Sequence, residues 1–108
     1  MKRVLFAMLA LLLAGTAQAA GNAGAGKAMA SQVCAACHGA EGNKPVAPEN
    51  PILAGQHQDY LLKALKDYKA GKRYNAIMKG FAATLSNQDM ENLAAWFASQ
   101  KSNLHFQR

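Results

Sequence analysis

The chain has 108 residues, a formal net charge of +6 and a hydrophobic fraction of 51%. This length limits the sequence to one domain, and the hydrophobic content excludes a chain that is disordered by composition. Only two cysteines are present, which excludes a disulfide-dense secreted framework and leaves one disulfide, a metal or a covalently attached cofactor to stabilise so short a chain.

The first segment of the sequence has the three parts of a secretory signal peptide. Lys2-Arg3 forms the positive region, residues 4–14 form an apolar run, and Ala17-Gln18-Ala19 is a small-residue cleavage site. The apolar run is shorter than the ~20 residues of a membrane-spanning helix. We therefore expect a cleaved signal peptide over residues 1–19 and a single exported domain over residues 20–108. An uncleaved N-terminal anchor is the alternative.

Two of three predicted helices, and the first of two long irregular segments, follow the signal peptide. A flexible lead rich in glycine and alanine, residues 21–26, precedes a helix predicted over residues 27–36. Residues 39–56 contain three glycines, two asparagines and three prolines, which is typical of a loop. Apolar side chains spaced for one face predict the second helix over residues 58–70, and Gly71 is placed to end it.

The second irregular segment and the third helix complete the chain. Residues 72–85 have no sustained pattern, although residues 76–83 could hold a helical turn. Ser86 begins the last helix as its N-cap, with Asp89 three residues later as in a capping box. No segment alternates with the period of a strand, so the sequence predicts an all-α domain. Two long loops in so small a domain favour a cofactor that the loops wrap.

The motif Cys34-Ala35-Ala36-Cys37-His38 is the attachment signature of c-type haem. Two thiols three residues apart on a helical turn face the same way and can add to two vinyl groups at one porphyrin edge. His38 follows Cys34 by four residues and shares that face, so its imidazole can ligate the haem iron. The motif therefore predicts one covalently bound haem c with its iron.

Three other interpretations of the two cysteines are open at this point. A thioredoxin-like redox pair would require strands in a βαβ pattern, which the sequence lacks. Half of a zinc site would need further ligands, and the remaining nitrogen ligands are only His57 and His105. A single structural disulfide with His38 as a bystander is the third.

The sequence around this motif resembles class I bacterial cytochromes c, and nearly all of the chain after the signal peptide takes part. The haem-binding segment of that class is matched by Val33-Cys34-Ala35-Ala36-Cys37-His38-Gly39 and Glu41-Gly42-Asn43. The middle and the C-terminal helix of small periplasmic cytochromes of the c4 or c553 type are similar to residues 51–56, 60–65, 85–90 and 93–97.

This resemblance implies the class I cytochrome c fold, with three main helices and two long loops wrapped around one covalently attached haem. Cytochromes of the c4 type carry two such domains in one chain, whereas this sequence contains one haem motif. We therefore expect one haem and a monomer or weak dimer.

Met78 is the predicted second axial ligand of the iron. It lies in the second irregular segment, and Ile77-Met78-Lys79-Gly80 resembles the segment that holds the axial methionine in this family. Met29 and Met90 lie on apolar helix stripes and are interpreted as core residues. The alternative is that Met78 only packs in the haem pocket, with His57 or an open position at the iron.

Further pocket residues are predicted around the haem. A ligating imidazole usually donates its other N–H to a carbonyl oxygen, and the resemblance assigns that carbonyl to Pro51. The predicted haem-wall residues are Leu53, Leu65, Ile77 and Phe81.

Iron held by histidine and methionine has no vacant position and is suited to moving one electron. The sequence shows no catalytic triad, carboxylate pair or phosphate loop, so it predicts a periplasmic electron carrier and not an enzyme. A five-coordinate gas sensor or peroxide enzyme, or a subunit of a larger dehydrogenase or oxidase, are the competing classes.

The excess of basic over acidic residues indicates what kind of partner the protein binds. Four basic residues are spaced along one side of the second helix: Lys63, Lys66, Lys69 and Arg73. They form either a solvated face or a docking surface for acidic redox proteins. We expect a terminal oxidase, reductase or dehydrogenase as partner, with peripheral contact to membrane complexes and no nucleic acid.

Overall fold

The computed structural model describes residues 21–102, and this part of the chain is all-α, as predicted. Its helices are α1 (Ala23–Val33), α2 (Ala35–His38), α3 (Gln58–Ala70), α4 (Ala76–Ala83) and α5 (Asn87–Ala98). The three longest helices, α1, α3 and α5, correspond to the three predicted main helices. The predicted signal peptide over residues 1–19 and His105 lie outside the described residues.

The glycine- and alanine-rich start of the domain is helical, so the prediction of a flexible lead was wrong. Asn22 caps α1, because its side-chain oxygen accepts a hydrogen bond from the amide of Ala25 at 3.0 Å. The Asn22 amide donates to the side chain of Asn92 on α5 at 2.8 Å. Gly26 is buried, and a Cβ placed there would lie 2.0 Å from the carbonyl oxygen of Asn92. This glycine permits a close helix crossing.

The hydrophobic core forms where α1 and α3 pack against α5. Met90 and Leu93 of α5 are each 1% exposed and are the largest fully buried side chains of the described residues. The predicted capping box at the start of α5 is confirmed, since the Asp89 amide donates to Ser86 Oγ and the Ser86 amide donates to the Asp89 carboxylate. Helix α5 is therefore the central element of the domain.

Backbone hydrogen bonds close the long loop between α2 and α3. The amides of Leu53 and Ala54 both donate to the carbonyl oxygen of Gly42, at 2.8 and 3.1 Å. The amide of Gly55 donates to the carbonyl oxygen of Phe97 on α5 at 2.9 Å. The loop is thus fixed to itself and to the core, which gives residues 42–55 a defined path.

The segment between α3 and α5 is more regular than its sequence suggested. Gly71 ends α3 in the left-handed conformation, at φ +77°, as predicted. Residues 76–83 form two full turns of helix where the sequence predicted an irregular stretch that could hold a helical turn. The reason is the cap: Asn75 Oδ1 accepts from the amides of Ile77 and Met78, at 3.1 and 3.0 Å.

No helix within residues 21–102 combines the length and the apolar character that crossing a membrane requires.

Candidate functional site

One cleft, with a volume of about 280 Å³, is lined by residues from all five helices and from the loop after α2. All nine residues that the sequence singled out for the site lie on its surface: Cys34, Cys37, His38, Pro51, Leu53, Leu65, Ile77, Met78 and Phe81. Chain folding thus brings together residues that are far apart in the sequence. Their roles toward a cofactor remain predictions.

His38 is the buried polar residue of the cleft. It ends the single turn of α2, is only 6% exposed, and its Nδ1 lies 2.9 Å from the carbonyl oxygen of Pro51. A carbonyl oxygen can only accept, so this contact requires the ring proton on Nδ1. The neutral imidazole then keeps its lone pair on Nε2, which is the form that a metal ligand needs.

Cys34 and Cys37 are half-buried on the cleft wall and are not joined by a disulfide. Burial, and secondarily the neighbouring Cys37, raise the pKa of the Cys34 thiol to about 11. Redox-active pairs behave oppositely, since their attacking thiol has a lowered pKa. The described residues also contain no strand and no group of three or more His, Cys, Asp or Glu side chains suited to a metal ion. The redox-pair and zinc interpretations thus gain no support.

The segment before Pro51 also fixes the position of Cys37. The side-chain amide of Asn50 and the backbone amide of Val46 both donate to the Cys37 carbonyl oxygen, each at 3.1 Å. Sequence reasoning missed Asn50, because an asparagine in a loop rich in proline reads as a turn residue. Together with the His38–Pro51 contact, these bonds connect the loop to α2 at two successive residues.

Met78 is the methionine that lines the cleft, among the three methionines of the described residues. It is half-buried on α4, and its amide is held by the side chain of Asn75. Met90 lies in the core at 1% exposure, and Met29 packs against the core. His57, the alternative ligand, is exposed at the start of α3 and lies outside the cleft lining.

The cleft walls are apolar and more exposed than a protein interior. Ile77 is 68% and Phe81 43% exposed, although both line the concave surface, while Leu53 and Leu65 are half-buried. Apolar side chains around a cleft suit a flat apolar group that covers them. An imidazole nitrogen, a thioether and two neighbouring thiols share this cleft, so the residues present fit a haem.

Three polar residues of the cleft rim were not predicted as site residues. Arg73 Nη1 lies 3.3 Å from the hydroxyl of Tyr60, and the Arg73 guanidinium lies 4.9 Å from the ring centre of Tyr68. The hydrogen bond with Tyr60 raises the pKa of Arg73. Tyr68 belongs to the apolar stripe of the second helix, which was the available signal. The sequence held no signal that Arg73 lines the cleft, since this residue follows the end of that helix.

The predicted row of basic residues along α3 is interrupted by contacts within the chain. Lys63 pairs with Asp67, the ammonium group of Lys69 donates to the carbonyl oxygen of Leu85, and Arg73 contacts the two tyrosines. Arg73 also lies beyond the end of the helix. All four residues are exposed, and Lys66 is the member of the row without a polar partner among the described residues.

Comparison with known proteins identifies the family of this chain. The sequence matches the family described as "Cytochrome c" over residues 23–101. Cytochrome c4 of Pseudomonas aeruginosa is 54% identical over 97 residues, which cover 90% of this chain and 47% of that protein. Cytochrome c-554(548) of Halomonas halodenitrificans is 39% identical over 85 residues, covering 76% of this chain and 100% of that protein.

A solved structure shows the same fold. The crystal structure of reduced recombinant cytochrome c4 from Pseudomonas stutzeri superposes with a TM-score of 0.72 at 46% identity, covering 79% of this chain and 48% of that one. This chain thus spans about half the length of the two cytochromes c4 and the full length of the Halomonas protein. The fold is the class I cytochrome c fold, the chain belongs to the cytochrome c family, and its cofactor is covalently bound haem c with its iron.

Proposed function

We propose that this chain is a periplasmic carrier of single electrons, with haem c bound to Cys34 and Cys37 and the iron held between His38 and Met78. The observation that carries the proposal is that one cleft receives His38 from α2 and Met78 from α4, together with both thiols. When bound, the haem supplies a one-electron couple at its iron.

The surrounding residues support a carrier more than an enzyme. The Pro51 carbonyl fixes the His38 ring, with Nε2 left as the ligating atom. Leu53, Leu65 and Phe81 give the cleft apolar walls that exclude water from a bound group. A thioether from Met78 fills the position that a substrate or gas would need. An apolar and fully ligated site favours electron transfer over catalysis.

Visible spectra of the purified protein, oxidised and reduced, test the ligand pair. We expect a low-spin reduced spectrum and, in the oxidised protein, the weak far-red band of iron bound to a methionine sulfur. Met78→Ala should abolish that band, lower the reduction potential and open the iron to added ligands. Met29→Leu is the matched control, because Met29 packs against the core and lies outside the cleft lining.

The opposite outcome assigns another function. If Met78→Ala leaves the oxidised spectrum and the potential unchanged, Met78 is pocket packing only and the carrier proposal loses its second ligand. A high-spin spectrum of the unaltered protein would favour a sensor or peroxide enzyme with an open position. Absence of haem after production with the haem-attachment machinery would return the two cysteines to a dithiol role.

Export and the domain boundary are tested together by the intact mass of the purified protein. The proposal of a signal peptide over residues 1–19 requires a chain that begins at Ala20, with the mass of one haem added, in the periplasmic fraction. A chain that retains residues 1–19 and sediments with membranes would show an N-terminal anchor instead.

We also propose that the electron partner presents an acidic surface. Net positive charge supports this, as do two exposed lysines, Lys66 on α3 and Lys79 directly after the cleft-lining Met78. Electrostatically steered association slows steeply as salt is added. We expect electron-transfer rates with an acidic redox protein to fall with salt, and to fall further in a Lys66→Glu, Lys79→Glu variant. Rates that do not change with salt would refute the steering.

A further inference from the structure

Three side chains at the cleft rim form a cluster that the proposed ligand set does not use. Tyr60 and Tyr68 lie at the two ends of α3, and Arg73 folds back from beyond the helix to contact both. Its guanidinium lies over the Tyr68 ring at 4.9 Å, and its Nη1 lies 3.3 Å from the Tyr60 hydroxyl. We name these three residues the rim clasp.

Arg73, one member of the rim clasp, lies only a short stretch of chain before Met78. Gly71 turns the chain out of α3, and the amides of Lys72 and Arg73 both donate to the carbonyl oxygen of Asp67, at 2.9 and 3.2 Å. Two residues after Arg73, the side chain of Asn75 accepts from the amide of Met78 at 3.0 Å. The position of Met78 therefore depends on the position of Arg73, through the intervening backbone and one helix cap.

Helix α4 has few other anchors. Ala82 is its one buried residue, and Ile77 is 68% exposed. Helices in proteins are stabilised mainly by packing of an apolar face, and an element with so little burial opens locally at low cost in free energy. Residues 71–75 form the linker between α3 and α4. The contacts that hold this linker therefore strongly influence the position of Met78.

We propose that Tyr60 and Tyr68 hold Arg73 so that the linker, and with it Met78, is fixed at the cleft; this rests on the proposed role of Met78 as iron ligand. Arg73 is a positioning residue that acts through Asn75 and the backbone. Arginine suits the task because its planar guanidinium can stack on one ring while its edge donates to another group. A lysine ammonium offers the charge without that geometry.

Displacement of Met78 by imidazole in the oxidised haem protein measures this role. Imidazole binds only when the methionine leaves the iron, so its apparent affinity reports the fraction of molecules with Met78 released. Loss of one stacked cation and one hydrogen bond should raise the imidazole affinity of Arg73→Lys about three- to tenfold. Tyr60→Phe should show a smaller increase, and the double variant should not exceed Arg73→Lys, because both changes break the same contact.

The control is Lys72→Ala, at the adjacent exposed residue, which removes a charge from the same linker without touching the clasp. Its imidazole affinity should stay within about twofold of the unaltered protein, as expected for an exposed charge. Thermal unfolding of each variant separates local release of Met78 from a general loss of stability, since the clasp should change the first much more than the second.

Several results would overturn the clasp. Unchanged imidazole affinity in Arg73→Lys would do so, as would an equal increase in Lys72→Ala, which would assign the effect to charge. A shift of reduction potential or loss of haem without any change in imidazole affinity would place Arg73 on the haem itself. Failure of the proposed function is distinguishable, because then the unaltered protein lacks the far-red band and Met78→Ala binds imidazole no more tightly.

Discussion

The two walls that supply the predicted iron ligands are built in different ways. The His38 wall consists of α2 and the loop that carries Pro51, and it is tied to the core. His38 is 6% exposed, and its ring contacts the Pro51 carbonyl oxygen. Backbone hydrogen bonds join the loop to Gly42 and to Phe97 of α5. The Met78 wall is a two-turn helix with one buried residue, Ala82, fixed by a cap and a linker.

This difference separates two kinds of stability within one small domain. A substitution that weakens the His38 wall also weakens its contacts with α1, α5 and the loop, so it should lower the free energy of global unfolding. Disturbing the Met78 wall leaves that core intact, so its changes should appear as release of the methionine. A substitution of the same chemical kind made in each wall therefore separates the two behaviours.

Gly26→Ala should have the largest effect on stability. The added Cβ would lie 2.0 Å from the Asn92 carbonyl oxygen and 2.9 Å from the Trp96 Cβ, so α1 and α5 must move apart. Overpacking of a closely packed site costs about 1–3 kcal/mol, and backbone contact places this site at the upper end. Chemical denaturation of the haem protein should show a clearly lower midpoint. A midpoint equal to that of the unaltered protein would mean that the helix crossing is not tightly packed.

Substitutions at the two helix caps should have effects of intermediate size. Ser86 caps α5 within a capping box, and Asn75 caps α4 by accepting from two amides. Each change to alanine should cost about 0.5–2 kcal/mol of helix stability. Ser86→Ala should lower the denaturation midpoint, because α5 holds the core, whereas Asn75→Ala should mainly raise the apparent affinity for imidazole.

Reversal of this pattern would contradict the division between the walls. If Asn75→Ala lowers the denaturation midpoint as much as Ser86→Ala and leaves imidazole binding unchanged, α4 unfolds only together with the core. Denaturation and imidazole titration on the same two variants distinguish the outcomes, and Lys72→Ala again serves as the unchanged reference.

The difference between the walls also explains which features the sequence could predict. The motif at Cys34, Cys37 and His38 fixes its own chemistry through residue type and spacing, and the capping box at Ser86 is local, so both follow from the sequence. Helix α4 depends on a cap at Asn75 beside residues with little periodicity, and its two turns were underestimated. The rim clasp depends on the chain turning back at Gly71, so the helical spacing that placed Arg73 in a basic row was misleading.

Gly80→Ala should have the smallest effect, and in the opposite direction to Gly26→Ala. Apart from its chain neighbours and the nearby backbone of α4, a Cβ at Gly80 meets no heavy atom within 4 Å in the described part of the chain, and the backbone there does not have a positive φ. Glycine inside a helix costs roughly 0.5–1 kcal/mol relative to alanine, so the change should stabilise α4.

The division between the two walls predicts that α4 opens without the core, so this gain should appear at Met78 and hardly at the denaturation midpoint. Retaining the methionine more firmly should weaken imidazole binding by about two- to fivefold, the equivalent of the helix gain. An imidazole affinity that stays constant while the midpoint rises would show that α4 and the core unfold as one unit. Opposite signs for one substitution, at Gly26 and at Gly80, would establish that the histidine is held by the packed core and the methionine by a separately adjustable helix.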